Sequence, residues 1–180
     1  MALISASTIL TSLCLFHITL AYFFYTNPHT IADQALVYVL GEATGMPQTQ
    51  YFSTPSPTGS FLAIILFCVG LSDLITLSMP QEIWLVHYWG AQAPARIMLF
   101  GALTLFTYLT APSTSSTRFY SAASYGTASG SEGLRNRVFF AFSLLETISW
   151  LWAWVTLREE TAAFTARKRR RSSSYVRERS

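Results

Sequence analysis

An all-α integral membrane protein, with four transmembrane helices and a short interfacial helix between the first two, is the fold class this sequence predicts. The first observation is composition: 51% of the 180 residues are hydrophobic and only 12% carry charge, far from the usage of a soluble domain. The second is segment length, because a hydrocarbon core of roughly 30 Å needs about 20 apolar residues at about 1.5 Å each, and four stretches approach that length. The third is the solvent itself: lipid leaves no water for backbone groups, so such stretches cross as helices. The spans are expected at about residues 3–25, 59–79, 93–111 and 138–157, inside a domain of residues 1–165 that a basic, disordered tail of residues 166–180 follows.

The first span, Leu3 to Tyr25, lacks the basic flank, short apolar run and small-residue cleavage site of a signal peptide, so it is read as a retained helix. After it Pro28 ends one helix, and Thr30 with Asp33 resembles the capping box of another. Ile31 to Leu40 is too short to span and is expected to lie in the interface or against the bundle. The turn-rich "TPSPTGS" leads into the second span, Gly59 to Met79. The next link, "PQEIWLVHYWGAQAP", is aromatic and nearly uncharged, and is expected on the cytoplasmic membrane surface. Ala95 to Ala111 is short for a third span and needs Ala93 and Pro94 to complete it. A Ser/Gly-rich loop, "PSTSSTRFYSAASYGTASGSEGLRNR", then precedes the fourth span, Val138 to Leu157.

Four crossings put both ends on one side, and basic residues name that side. Arg96, Arg158, Arg167, Lys168, Arg169, Arg170, Arg171, Arg177 and Arg179 fall on it, against Arg118, Arg135 and Arg137 on the other, so both termini are expected in the cytoplasm. Trp150, Trp152 and Trp154 before Arg158, and Tyr22 to Tyr25 at the far end of the first span, read as interfacial aromatic belts.

Ionisable residues inside such spans are expensive and therefore informative. Asp73 lies about 9 Å inside the cytoplasmic end of the second span, counting about 1.5 Å per residue from Met79. Arg96 enters the third from the same boundary, and a structural ion pair between them is the favoured reading, ahead of a residue facing another helix or water and of an ion or proton site. Glu146 lies near mid-bilayer in the fourth span and His17 at comparable depth in the first, so the two are placed to meet. Each of these residues falls on a stripe of small or polar residues at helical spacing: Cys14, His17 and Ala21; Ala63, Gly70, Asp73 and Thr76; Ser143, Glu146, Ser149 and Ala153. Interhelical packing around a hydrogen-bonded glutamate is the plain reading of such faces, and a functional carboxylate the alternative.

The tail carries a membrane-surface basic cluster, Arg167, Lys168, Arg169, Arg170 and Arg171. It is read as an orienting flank or as a site of attraction to anionic lipid that phosphorylation of Ser172 to Ser174 would weaken, with an endoplasmic reticulum address as a third reading. No folded domain accompanies it, so direct nucleic-acid binding is not expected. The two cysteines, Cys14 and Cys68, fall inside spans, and His17, His29 and His87 lack ligand spacing, so no metal or cofactor is expected. With no nucleotide loop, nucleophile triad or metal set, no enzymatic activity is expected either.

The blocks "LGEATGMPQ", "FLAIILFCVGLSDLITL", "APARIMLFGALTLFTYL" and "FAFSLLETISWLWAWVTLREE" together resemble the fungal "increased loss of mitochondrial DNA" proteins over roughly residues 10–165. Order and spacing carry the resemblance, through Pro47, Gln48, Asp73, Pro94, Arg96, Glu146, Arg158, Glu159 and Glu160. It implies a multi-pass membrane protein of the endoplasmic reticulum required indirectly for mitochondrial DNA maintenance, with no established reaction and no catalytic residues to carry over. Two functions stay open: a non-enzymatic membrane or assembly factor, completed by another membrane protein or a second copy of itself, and an ion or proton conductor using Asp73, His17 and Glu146.

Overall fold

The computed structural model describes residues 4–48, 56–110 and 134–179, and every regular element among them is helical. Helix α1 (Ala6–Thr26) starts at Ser5, whose hydroxyl accepts the Thr8 amide at 3.2 Å, an N-cap of the ordinary kind. Along it Ser12, Thr19 and Thr26 donate back to carbonyls four residues earlier at 2.8–2.9 Å, so these hydroxyls need no solvent. Pro28 then opens the short α2 (Pro28–Ala32), α3 follows (Ala35–Thr44), and Gly45 closes it in the left-handed conformation at φ 68°. Helix α4 (Pro57–Thr76) is capped by Ser56 with proline at its first position. A π-helical segment, Ile83–Tyr88, runs directly into α5 (Trp89–Leu109), and α6 (Arg137–Arg179) closes the chain.

Three of these helices are long and apolar enough to cross a membrane: α1, α4 and the Arg137–Arg171 part of α6. Helix α5 is as long as α1, but Gly90, Gln92, Pro94 and Arg96 dilute its first half. Helix α1 packs chiefly on α4 and α5 chiefly on α6, giving two helix pairs. In the first pair the contact is close: a Cβ on Gly70 would stand 3.0 Å from the Cys14 carbonyl oxygen and 3.1 Å from side-chain atoms of His17 and Ile18. In the second, Gly101 faces Thr147, and the Thr104 and Thr147 hydroxyls lie 3.4 Å apart. Small residues of this kind let helices approach where lipid tails would supply no hydrophobic drive. Two buried apolar clusters join the pairs, one around Leu10, Leu85, Trp89 and Trp150, the other around Phe24, Ile31, Val37 and Val138.

Four local expectations need correction. Ile31 to Leu40 is not one helix: α2 stops at Asp33, whose amide bonds the His29 carbonyl at 3.0 Å, and α3 begins after Gln34. Asp33 forms no capping box, because its carboxylate is held 2.7 Å from His29 Nδ1. The aromatic link is helical from Gln81 onward, so the helix expected from residue 93 begins about three turns earlier, with Trp84, Leu85, Trp89 and Ala93 buried. A π turn fits there because the Trp89 amide reaches the Trp84 carbonyl five residues back, which turns both tryptophans inward ahead of Pro94. Third, Trp150 is only 1% exposed and belongs to the core, whereas Trp152 is exposed as an interfacial residue would be. Finally, the tail expected to be disordered continues α6 to Arg179, where alanines and long basic side chains favour helix. The Ser/Gly-rich loop lies mostly outside the described residues.

Candidate functional site

Asp73 sits on the buried face of α4, one turn before its end, and Arg96 on α5 answers it. The fork is bidentate: Nη1 donates to Oδ2 at 2.6 Å and Nη2 to Oδ1 at 2.9 Å. Such geometry uses the planar guanidinium fully and is the strongest form of this pair. The same guanidinium lies 4.6 Å from the ring centre of Trp150 and 5.3 Å from that of Trp89. These two indoles stack on each other at 5.3 Å and 22°. Thus the positive charge is neutralised by a carboxylate and shielded by aromatic rings.

Trp150 carries the arrangement onward, since its Nε1 donates to Glu146 Oε2, one helical turn earlier, at 2.8 Å. The other oxygen, Oε1, stands 3.0 Å from His17 Nε2 on α1. That approach falls short of a well-aligned hydrogen bond, and Oε1, His17 Nδ1 and Trp89 Nε1 are buried without a hydrogen-bond partner among the described residues. Phe142 closes the histidine from the side, its ring 6.4 Å away and edge-on.

The result is one polar chain, Asp73, Arg96, Trp150, Glu146 and His17, running through four helices. Its two contacts between ionisable side chains fall where the pairs meet: Asp73 with Arg96 ties α4 to α5, and His17 with Glu146 ties α1 to α6. Within each pair, by contrast, small residues suffice. All four polar residues singled out in the sequence are therefore brought together in two contacts. The tryptophans that connect them were missed; the spacing of four between Glu146 and Trp150 was the available signal. Arg137 was missed as well. It is buried against α3, its guanidinium 5.5 Å from the Tyr38 ring, and a Cβ on Gly41 would meet its Cβ at 2.6 Å.

The basic cluster stands apart from this chain. Arg167, Lys168, Arg169, Arg170 and Arg171 are all exposed on α6. Lys168 Nζ donates to Glu82, just ahead of the π segment, and that bond, with the lysine charge behind it, holds the Glu82 carboxyl below the usual carboxylate range. Another end-to-end tie runs from the Ala6 amide to Glu160 Oε1 at 2.7 Å. No group of three or more His, Cys, Asp or Glu able to hold a metal occurs among the described residues.

No curated protein and no solved structure matches this chain. A family model does, over residues 4–167, and it is described as increased loss of mitochondrial DNA protein 1. That match begins before α1 and ends beyond Glu160, so it takes in every residue of the polar chain, and the protein that carries it belongs to the increased loss of mitochondrial DNA protein 1 family.

Proposed function

We propose that this protein is a multi-pass membrane protein of the endoplasmic reticulum, crossing four times with both ends in the cytoplasm, and that it serves mitochondrial DNA maintenance indirectly as a non-enzymatic assembly or membrane factor. One observation carries the reading: the ionisable side chains inside the apolar helices are engaged with each other across the helix pairs, not gathered around a cleft. Large apolar side chains turned outward support the membrane part, among them Phe61, Ile64, Met98, Leu105, Leu109 and Ile148. Helix α5 joins the spans on this account because the one charge in its first half, Arg96, is paired with Asp73 and so costs far less in lipid than its hydropathy suggests. The α2–α3 corner then lies against the bundle on the side opposite the termini.

A factor of this kind acts through what it holds, either another membrane protein or a second copy of itself. Purification in mild detergent tests it: a stoichiometric partner, or a defined oligomer, is the expected result. A lone monomer that restores maintenance of mitochondrial DNA only through a measurable ion flux would overturn it.

A second reading has its own observation. His17 Nδ1 and Glu146 Oε1 are buried without hydrogen-bond partners among the described residues, leaving polar capacity that a water molecule or a passing ion would satisfy. Under that reading the protein conducts protons or ions through His17, Glu146 and Asp73. Reconstitution into liposomes with a pH-sensitive dye separates the two. Flux that disappears in Glu146→Gln favours conduction; no flux above empty liposomes, with Glu146→Gln at normal abundance still supporting mitochondrial DNA, favours the assembly role.

A further inference from the structure

Beside the π segment, α6 forms one wall of a groove with a volume of about 610 Å³ that the polar chain does not use. Its composition changes along the helix. Val86, Trp154 and Leu157 line one end, and Arg158, Thr161, Thr165 and Arg169 line the rest, over a floor made shallow by Gly90, Ala162 and Ala166. The four polar residues recur every three or four positions, so they share one face, with about 16 Å of helix between the two arginines at about 1.5 Å per residue. Arg158 is braced by Trp154, its guanidinium 5.1 Å from the ring centre, a face-on contact that leaves the N–H edge free to donate.

Neither arginine has a carboxylate partner among the described residues. Of the acids nearby, Glu82 holds Lys168 and Glu160 accepts the Ala6 amide, while Glu159, exposed beside Arg158, forms no ion pair with either arginine among the described residues. We propose that this groove binds the headgroup and upper acyl chain of an anionic glycerophospholipid, with the phosphate at Arg158, the chain against Val86, Trp154 and Leu157, and Arg169 about three turns farther along the same face, too far to touch that phosphate. An inorganic anion would have no use for the apolar end, and a zwitterionic headgroup would bring a cation to two unpaired arginines. This differs from diffuse attraction to the Arg167 to Arg171 cluster, because Arg170 and Arg171 do not line the groove. It rests on the membrane reading above, which places the bilayer boundary near Leu157.

The test uses the full chain in detergent and soluble dioctanoyl phosphatidic acid, followed by calorimetry against dioctanoyl phosphatidylcholine and inorganic phosphate. Saturable binding of phosphatidic acid at least tenfold tighter than either control is expected. Arg158→Gln should weaken it about tenfold, the usual scale of one lost charge-assisted hydrogen bond, and Arg169→Gln, which removes only a distant charge, less than about threefold. Gly90→Leu, which fills the groove without changing charge, should also weaken it about tenfold, whereas Arg170→Gln should change affinity less than about twofold. Equal losses in all three arginine variants would mean surface electrostatics only and overturn the site. Phosphate binding as tightly as the lipid would make it a free-anion site, and equal affinity for phosphatidylcholine would remove the charge argument; both overturn it. Because the probe is soluble, a failed topology would leave its binding intact, so the two failures are distinguishable.

Discussion

Removing Arg96 should cost more than removing Asp73, and removing both should cost much less than the sum. In Arg96→Gln the Asp73 carboxylate, whose side chain is 4% exposed, loses both of its donors and stays buried. Breaking a buried pair from one side costs about 3–5 kcal/mol. The same variant forfeits the contact with Trp150 and Trp89, adding about 1 kcal/mol. Asp73→Asn leaves Arg96, 18% exposed, over its two rings, so about 2–3 kcal/mol is expected. The double variant buries no charge and keeps an amide on each side, so coupling of about 2–3 kcal/mol follows. Unfolding by titration of a denaturing detergent into mixed micelles, read by tryptophan fluorescence, measures all four corners of the cycle. Additivity within about 0.5 kcal/mol would refute the claim that this pair ties α4 to α5.

Other positions give independent outcomes. Gly70→Val should loosen α1 from α4 by about 1–3 kcal/mol, since even a Cβ meets backbone and side-chain atoms at 3.0–3.1 Å; an unchanged midpoint in the same unfolding titration would contradict that contact. Trp150→Phe keeps an aromatic ring under Arg96 but removes the donor to Glu146, and a loss of about 1–3 kcal/mol is expected from the stranded oxygen. The tie between Lys168 and Glu82 should depend on acid. Glu82 is lowered in the folded chain, so its contribution is complete above the unfolded carboxylate value of about 4.3 and is lost as pH falls through the folded value below it. Hydrogen exchange across residues 160–170, corrected for intrinsic rates, should rise below that range in wild type and show no such step in Lys168→Met.

Where lipid-facing composition and helical period both spoke, the sequence was enough to read. The stripes through His17, Asp73 and Glu146 are the buried faces of α1, α4 and α6, because small and polar residues at three- and four-residue spacing have nowhere else to go in an apolar helix. Depth along each helix then put Arg96 near Asp73 and His17 near Glu146. The tryptophans misled. Trp152 is exposed, but Trp150 lies two residues away on the opposite, buried face, and only its relation to Glu146 distinguishes it. Residues 80–94 were illegible for a related reason: a π turn shifts the helical phase, so a period of 3.6 cannot reveal that Trp84, Leu85 and Trp89 all point inward. The break between α2 and α3 turns on a local bond between His29 and Asp33 that competes with the expected cap. Arg137 was counted only as an orienting charge, and nothing in its neighbourhood announces that Gly41 makes room for it.

The central claim is that α5 crosses with the other three helices, its arginine neutralised by Asp73. Accessibility labelling tests it directly in a chain with Cys14 and Cys68 replaced by alanine and single cysteines placed at Ser5, Glu42, Gln81 or Ser173. Four crossings predict that a membrane-impermeant reagent reaches Ser5→Cys, Gln81→Cys and Ser173→Cys from the cytoplasmic face and Glu42→Cys only from the other. Labelling of Ser5→Cys and Ser173→Cys from opposite faces would mean an odd number of crossings and contradict the account.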